Sequence, residues 1–148
     1  MLAARNFGQG FSTVEYLASA LVDHEMHRLT SADGFEAMEF EASVLKGIGM
    51  PGAIVSRHAA PHFLHVFSGD GYSAGYYSYM WSEVMDADAF AAFKEAGGPF
   101  DAEMAKALEQ EILSRGGSRD AAEAYTAFRG RMPGVEALLQ GRGLDDAA

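Results

Sequence analysis

Apolar residues recur every three or four positions through most of this sequence, and that period admits helices and little else. In the stretch STVEYLASALVDHEMHRL, the residues Val14, Leu17, Ala18, Leu21, Val22 and Leu29 share one helix face, because 3.6 residues per turn brings i, i+3, i+4 and i+7 together. Ser12 and Glu15 form an S-x-x-E capping box, which predicts the start of this helix. A second helix is predicted from about Asp33, with Phe35, Met38, Ala42 and Leu45 turned inward. Gly47, Gly49 and Pro51 stop it, since glycine permits left-handed dihedrals and proline cannot continue a helix. Ile54 and Val55 are too few for a strand.

Pro61 to Phe67 reads as a short helix or turn, followed by a glycine loop from Ser68 to Gly71. A long helix is predicted from about Ser73 to Ala96, ended by Gly97, Gly98 and Pro99. Asp101 caps a helix running to about Ser114, Asp120 caps another through Phe128, and a last short one follows Pro133. No alternating pattern competes, and there is no repeat or low-complexity segment. The expected fold is all-α, with about five to six helices in a single domain over residues 1–148 and a Gly-rich loop before a Tyr-rich helix. That helix carries aromatics around much of its circumference, and a helix apolar on most sides is buried on most sides. In a domain this small, the pattern points to a partner surface beyond the domain.

A chain of 148 residues, 49% hydrophobic, can bury a core of its own. No run approaches the ~20 apolar residues of a membrane span, and the opening MLAARNFGQGF lacks the apolar stretch of a signal peptide. The expectation is a cytoplasmic protein with no membrane partner. The absence of cysteine excludes disulfides, thiolate ligands and a cysteine nucleophile. A net charge of -10, dispersed along the chain, argues against nucleic acid and anionic lipid, both of which need a basic patch. Arg115, Arg119, Arg129 and Arg131 gather locally. Such arginines usually pair with carboxylates or helix ends, and ligand binding is the alternative.

The five histidines invite a search for metal. In HEMH, His24 and His27 stand at i and i+3, whereas a zincin helix needs i and i+4 so that both imidazoles reach one ion. In HAAPHFLH, Pro61 interrupts any helix that would align His58 with His62 and His65. No HExxH occurs anywhere, so the residues taken alone predict no metal site and no cofactor.

Tyr72, Tyr76 and Tyr79 fall at i, i+4 and i+7, one face of a helix beginning near Tyr72, while Tyr77, Trp81, Val84 and Met85 lie on a face suited to the core. A neutral phenol aimed at a developing oxyanion lowers a barrier as oxyanion-hole donors do. The pattern by itself favours the plainer alternative, rings that are buried with their hydroxyls at water or backbone.

Three blocks in order alter that balance. FGQGFSTVEYLA from Phe7, then HFLHVFSGDGYSAGYYSYMWSEVMDADAF, then ILSRGGSRD with FRGRMP together resemble the C-terminal part of the thimet-oligopeptidase family of zinc metallopeptidases. The resemblance is nearest the bacterial peptidyl-dipeptidase and oligopeptidase A branch and covers essentially the whole chain. It implies a segment of a mostly helical, two-lobed enzyme that cleaves short peptides over a zinc ion in a deep channel. By the same resemblance, His65 and Tyr72 contact the peptide, Tyr79 donates to the oxyanion, and Tyr76 shapes the substrate site. The loop containing Gly69 and Gly71 would close over substrates of different length.

Two departures accompany the match. The loop reads SGDGY where many relatives carry a plainer glycine run. The family's zinc ligands, an HExxH pair and a later glutamate, precede the matching segment, and this sequence does not contain them. Zinc therefore belongs to the full-length family and not to this chain. The expectation is a substrate-contacting portion, inactive alone, arising as a truncated product, a fragment or one half of a split peptidase with a complementary zinc-bearing lobe. A non-catalytic module that binds partners or forms a homo-oligomer is the second reading. A metal protein using His58, His62 and His65 is the third. The resemblance begins within a few residues of Met1, which suggests a deliberate or evolved boundary.

Overall fold

The computed structural model describes residues 1–145, and all regular structure among them is helical. The α-helices are α1 (Leu2–Asn6), α2 (Gln9–His27), α3 (Ala37–Gly47), α4 (Ser78–Ala96), α5 (Ala102–Leu108), α6 (Ala121–Arg129) and α7 (Glu136–Arg142). Short 3-10 turns cover Ala60–His62, Leu64–Val66 and Gly116–Ser118, and a π-helical turn, Glu109–Leu113, prolongs α5. The chain forms two compact units, Met1–Met80 and the residues from Trp81 on. None of the described helices is long and apolar enough to cross a membrane.

In the first unit, α2 starts three residues before the expected capping box. Gly8 stands at its N-cap with φ 74°, and the Ser12 N–H donates to the Gly8 carbonyl at 3.0 Å. Left-handed φ is cheap only for glycine, so the chain turns into α2 at Gly8 and Ser12 becomes part of the first turn. The side of α2 that is buried also differs from expectation. Ala18, Ser19, Ala20, Val22 and Asp23 are buried, whereas Val14, Leu17, Leu21 and Leu29 are exposed by 39% or more. The core consists of Ala18 and Val22 against Leu45 of α3, with Met26, Val44 and Met50 packed around them. Small side chains on this face of α2 let α3 approach closely, and the leucines are left outside.

Helix α3 begins at Ala37 rather than Asp33, and of its expected inward residues only Leu45 is fully buried; Met38 and Ala42 are exposed. Glu41 is buried in their stead, its carboxylate accepting the Ala60 N–H at 2.6 Å. The glycine stop holds as a Schellman ending. Gly49 has φ 78°, its N–H donates to the Lys46 carbonyl at 3.1 Å, and the Met50 N–H donates to the Leu45 carbonyl at 2.9 Å.

The largest departure lies between Phe67 and Tyr77, where consecutive turns replace the start of the expected long helix. The Gly75 N–H donates to the Tyr72 carbonyl at 2.9 Å and the Ser78 N–H to the Gly75 carbonyl at 3.0 Å. Only from Ser78 is the backbone helical.

In the second unit, Val84, Asp88 and Ala92 of α4 and Ala124, Tyr125 and Phe128 of α6 are buried. Tyr77 and Trp81, expected in the core, are 53% and 43% exposed. The two aspartate caps form as expected: Asp101 accepts the Met104 N–H at 2.9 Å, and Asp120 accepts those of Ala122 and Glu123 at 3.0 and 3.1 Å. Each such cap contributes about 1 kcal/mol.

Candidate functional site

The site is built on the turn that was expected to be helix. Asp23, one turn before the C-terminal end of α2, has a side chain with 0% exposure. Its two carboxylate oxygens accept the N–H groups of Ala74 at 3.1 Å and Tyr76 at 3.0 Å. The imidazole Nδ1 of His27, one turn along α2, lies 2.8 Å from the same carboxylate. Ala74 has φ 56° and is the one non-glycine residue with positive φ among those described. That conformation costs an L-residue roughly 1–2 kcal/mol, so it persists only where its surroundings enforce it. Two charge-assisted hydrogen bonds from the turn to a buried carboxylate supply that enforcement.

Tyr16, two turns before Asp23 on α2, grips the far side of the same turn. Its hydroxyl donates to the Tyr76 carbonyl and accepts the Met80 N–H, and its ring stacks on that of Tyr76 at 5.1 Å. The Ser73 hydroxyl donates to the Val66 carbonyl at 3.2 Å, tying the start of the turn to the preceding 3-10 segment.

These contacts gather the predicted site residues despite the altered backbone. His65 lies 4.3 Å from Tyr72 and 6.0 Å from Tyr79, centroid to centroid. The rings of Tyr72 and Tyr79 are nearly parallel at 6.5 Å, and Tyr76 meets Tyr79 edge-on at 5.6 Å. His65 Nε2 and the Tyr79 hydroxyl are 3.1 Å apart, within hydrogen-bonding distance. The three tyrosines share a place because a turn folds them together, not because they line one helix face. Tyr72 and Tyr79 are 43% and 44% exposed, so both side chains face solvent, while Tyr76 is half-buried against Phe63. The adjoining cavity of about 450 Å³ is lined by His58, His62, Phe63, His65, Tyr76 and Tyr79, among others. Gly69 and Gly71 lie in the open, where an added Cβ would meet nothing within 4 Å.

The Tyr79 phenol titrates above its ordinary value. A hydrogen bond with Tyr72 is the main cause, followed by burial and then the fields of Tyr72 and Tyr76. It stays protonated through neutral pH, which keeps it a donor.

The residues present do not fit the zinc ion that the resemblance implies. Among the described residues, no group of three histidine, aspartate or glutamate side chains could hold a metal. His27 Nδ1 is taken by Asp23, His58 stacks on Phe63 at 4.7 Å, and His65 is engaged with Tyr72 and Tyr79.

Of the arginine cluster, Arg119, Arg129 and Arg131 form ion pairs, while Arg115 donates to the Gln110 carbonyl at 3.0 Å. Asp88, 2% exposed, accepts from the Tyr125 hydroxyl at 2.9 Å, Arg129 Nε at 3.2 Å and Arg131 at 2.6 Å. Arg129 also grips Glu95 with two bonds of 2.7 and 2.8 Å, and Arg119 pairs with Glu111 at 2.7 Å. Burial would raise the Asp88 pKa, but the hydrogen bonds from Tyr125, Arg131 and Arg129 outweigh it, so the carboxyl titrates below the usual range.

Sequence reasoning passed over Asp23 and Tyr16. The only signal in the sequence is their separation of seven residues, which puts both on one face of α2. What they would bond was not legible.

The sequence profile of peptidase family M3 matches residues 1–144. Oligopeptidase A of Haemophilus influenzae is 36% identical over 152 residues, covering 97% of this chain and 21% of the relative. Dipeptidyl carboxypeptidase of Salmonella typhimurium is 36% identical over 148 residues, covering 98% of this chain and 21% of the relative. A probable cytosolic oligopeptidase A of Arabidopsis thaliana is 39% identical over 150 residues, with coverage of 97% and 21%. The chain thus spans about a fifth of the length of these curated relatives. With the family profile matched along nearly its whole length, this chain belongs to peptidase family M3.

Proposed function

We propose that the chain is the substrate-contacting portion of a peptidyl-dipeptidase-like or oligopeptidase-like metallopeptidase, acting on short peptides in the cytoplasm. The observation that carries this reading is the convergence of His65, Tyr72 and Tyr79 beside an open cavity, with the 3.1 Å contact between His65 and Tyr79. His65 and Tyr72 contact the peptide, and Tyr76 shapes the wall against which it lies. Tyr79, kept neutral by its neighbours, donates to a peptide carbonyl oxygen as that oxygen gains negative charge. The loop from Ser68 to Gly71 closes over the bound peptide, its glycines unconstrained by packing.

Among the described residues no three histidine, aspartate or glutamate side chains could hold an ion to activate water, so on this reading the chain is expected to hydrolyse no peptide alone. A complementary zinc-bearing lobe would supply that chemistry, and it would also cover the apolar stripe of Phe11, Val14, Leu17 and Leu21 on α2, each 39% or more exposed. The same stripe favours a second reading, a module that self-associates through α2.

The test pairs an assay with a binding measurement. With added zinc and a short chromogenic peptide, the purified chain should show no turnover. Titrating a short peptide should shift the NMR signals of His65, Tyr72 and Tyr79. Turnover would overturn the division of labour, and unmoved signals would overturn the assignment of peptide contact. A concentration-dependent mass that Leu17→Asp and Leu21→Asp abolish would favour self-association.

A further inference from the structure

We infer that Asp23 and Tyr16 are positioning residues for the tyrosine site, holding from α2 the turn that brings Tyr72 and Tyr76 to Tyr79. This deepens the peptide-contact reading and rests on it. A helix would fix the spacing of three tyrosines by its own hydrogen bonds, but residues 72–77 are not helical, so the spacing needs another source. The carboxylate of Asp23 takes the N–H groups of Ala74 and Tyr76, and the hydroxyl of Tyr16 takes the Tyr76 carbonyl and the Met80 N–H. Two side chains of one helix face thus secure backbone groups on both sides of Tyr76 and beside Tyr79. Asp23 is itself oriented by His27, whose Nδ1 lies 2.8 Å from its carboxylate. The left-handed Ala74, bonded through its own N–H to Asp23, is where the clamp overrides local preference. Asp23 does not line the cavity and acts through the turn alone; Tyr16 lines the cavity wall beside Tyr76, and the hydroxyl by which it holds the turn is engaged with the Tyr76 carbonyl and the Met80 N–H.

The experiment uses the full chain with ¹³C-labelled tyrosine, reading the nuclear Overhauser contact between the His65 and Tyr79 rings and the ionisation of the Tyr79 phenol. Asp23→Asn keeps the shape but turns an amide donor toward a backbone N–H. It should weaken or abolish the ring contact and bring the Tyr79 phenol back toward ordinary titration. Adding Ala74→Gly should restore both signals, because glycine adopts positive φ without a carboxylate to hold it. A role confined to stability would lower the unfolding midpoint, leave these signals intact and gain nothing from the glycine. Tyr16→Phe removes one hydroxyl and retains the ring on Tyr76; it should weaken the same contact, and it decides the matter if Asp23→Asn does not fold. Unchanged signals in the folded variants would overturn the positioning role, whatever the peptide does. Lost signals with undiminished peptide binding would instead overturn the peptide-contact reading.

Discussion

Asp23 and Asp88 are both buried carboxylates on 19-residue helices, one in each unit, and their partners differ. Asp88 is surrounded by side chains: a phenol and two guanidinium groups from the segment around α6. Asp23 accepts backbone N–H groups from a turn 51 and 53 residues away. An ion-pair network ties helices to one another and contributes to stability. A carboxylate that captures backbone dictates where a loop goes and what that loop presents. The contrast teaches that a buried acid is informative through the kind of donor it meets. Meeting charges marks a structural joint, and meeting a strained turn marks a place where side chains are being aimed.

The sharpest way to break this comparison is Asp88→Asn. It leaves the guanidinium of Arg129, whose side chain is 9% exposed, without its buried anion. The expected loss is about 3 kcal/mol in urea unfolding followed by Trp81 fluorescence, with the Tyr79 phenol signal unmoved. Displacement of that signal would erase the distinction between the two acids.

The same network sets the pH window. Asp88 titrates below its unfolded value, so its contribution is present above about pH 4 and is lost as pH falls through the lower folded value. The Tyr125 phenol is pushed far upward by burial first and then by Asp88, so its contribution is present below about pH 10 and declines above it. Stability measured against pH should therefore fall at both ends. A profile for Asp88→Asn that still falls in acid as steeply as wild type would remove Asp88 as the cause.

Tyr125→Phe is milder. It deletes one donor to Asp88 and to the Met85 carbonyl while retaining the buried ring, at an expected cost of about 1 kcal/mol in the same unfolding experiment. The smallest stability effect belongs to Tyr79→Phe. Tyr79 is 44% exposed and its hydroxyl meets only other site side chains, so the unfolding midpoint should hardly move, while peptide-induced shifts at His65 diminish. A large drop in stability would mean that Tyr79 is a structural residue after all.

Local chemistry was legible where the relevant interactions span a few residues. The caps at Asp101 and Asp120 and the glycine ending of α3 follow from side chains and backbone within one turn, and each stands where expected. The site residues His65, Tyr72, Tyr76 and Tyr79 were named from spacing and family resemblance, and they do lie together. Their i, i+4, i+7 spacing describes a helix face, whereas the backbone at 72–77 is a turn, so it is the turn that brings them together.

By itself, the sequence determined an all-helical chain, the punctuation of its helices and the family to which it belongs. Periodicity, caps and glycine stops are short-range, and the quoted motifs are carried by the residues themselves. Only the tertiary structure decided which side of α2 is buried, that Glu41 and not Met38 or Ala42 faces inward, and that Asp23 and Tyr16 set the tyrosine turn. Those outcomes depend on which surfaces pack and which distant backbone groups a buried carboxylate meets. A period of 3.6 residues carries no information about a partner more than fifty residues along the chain.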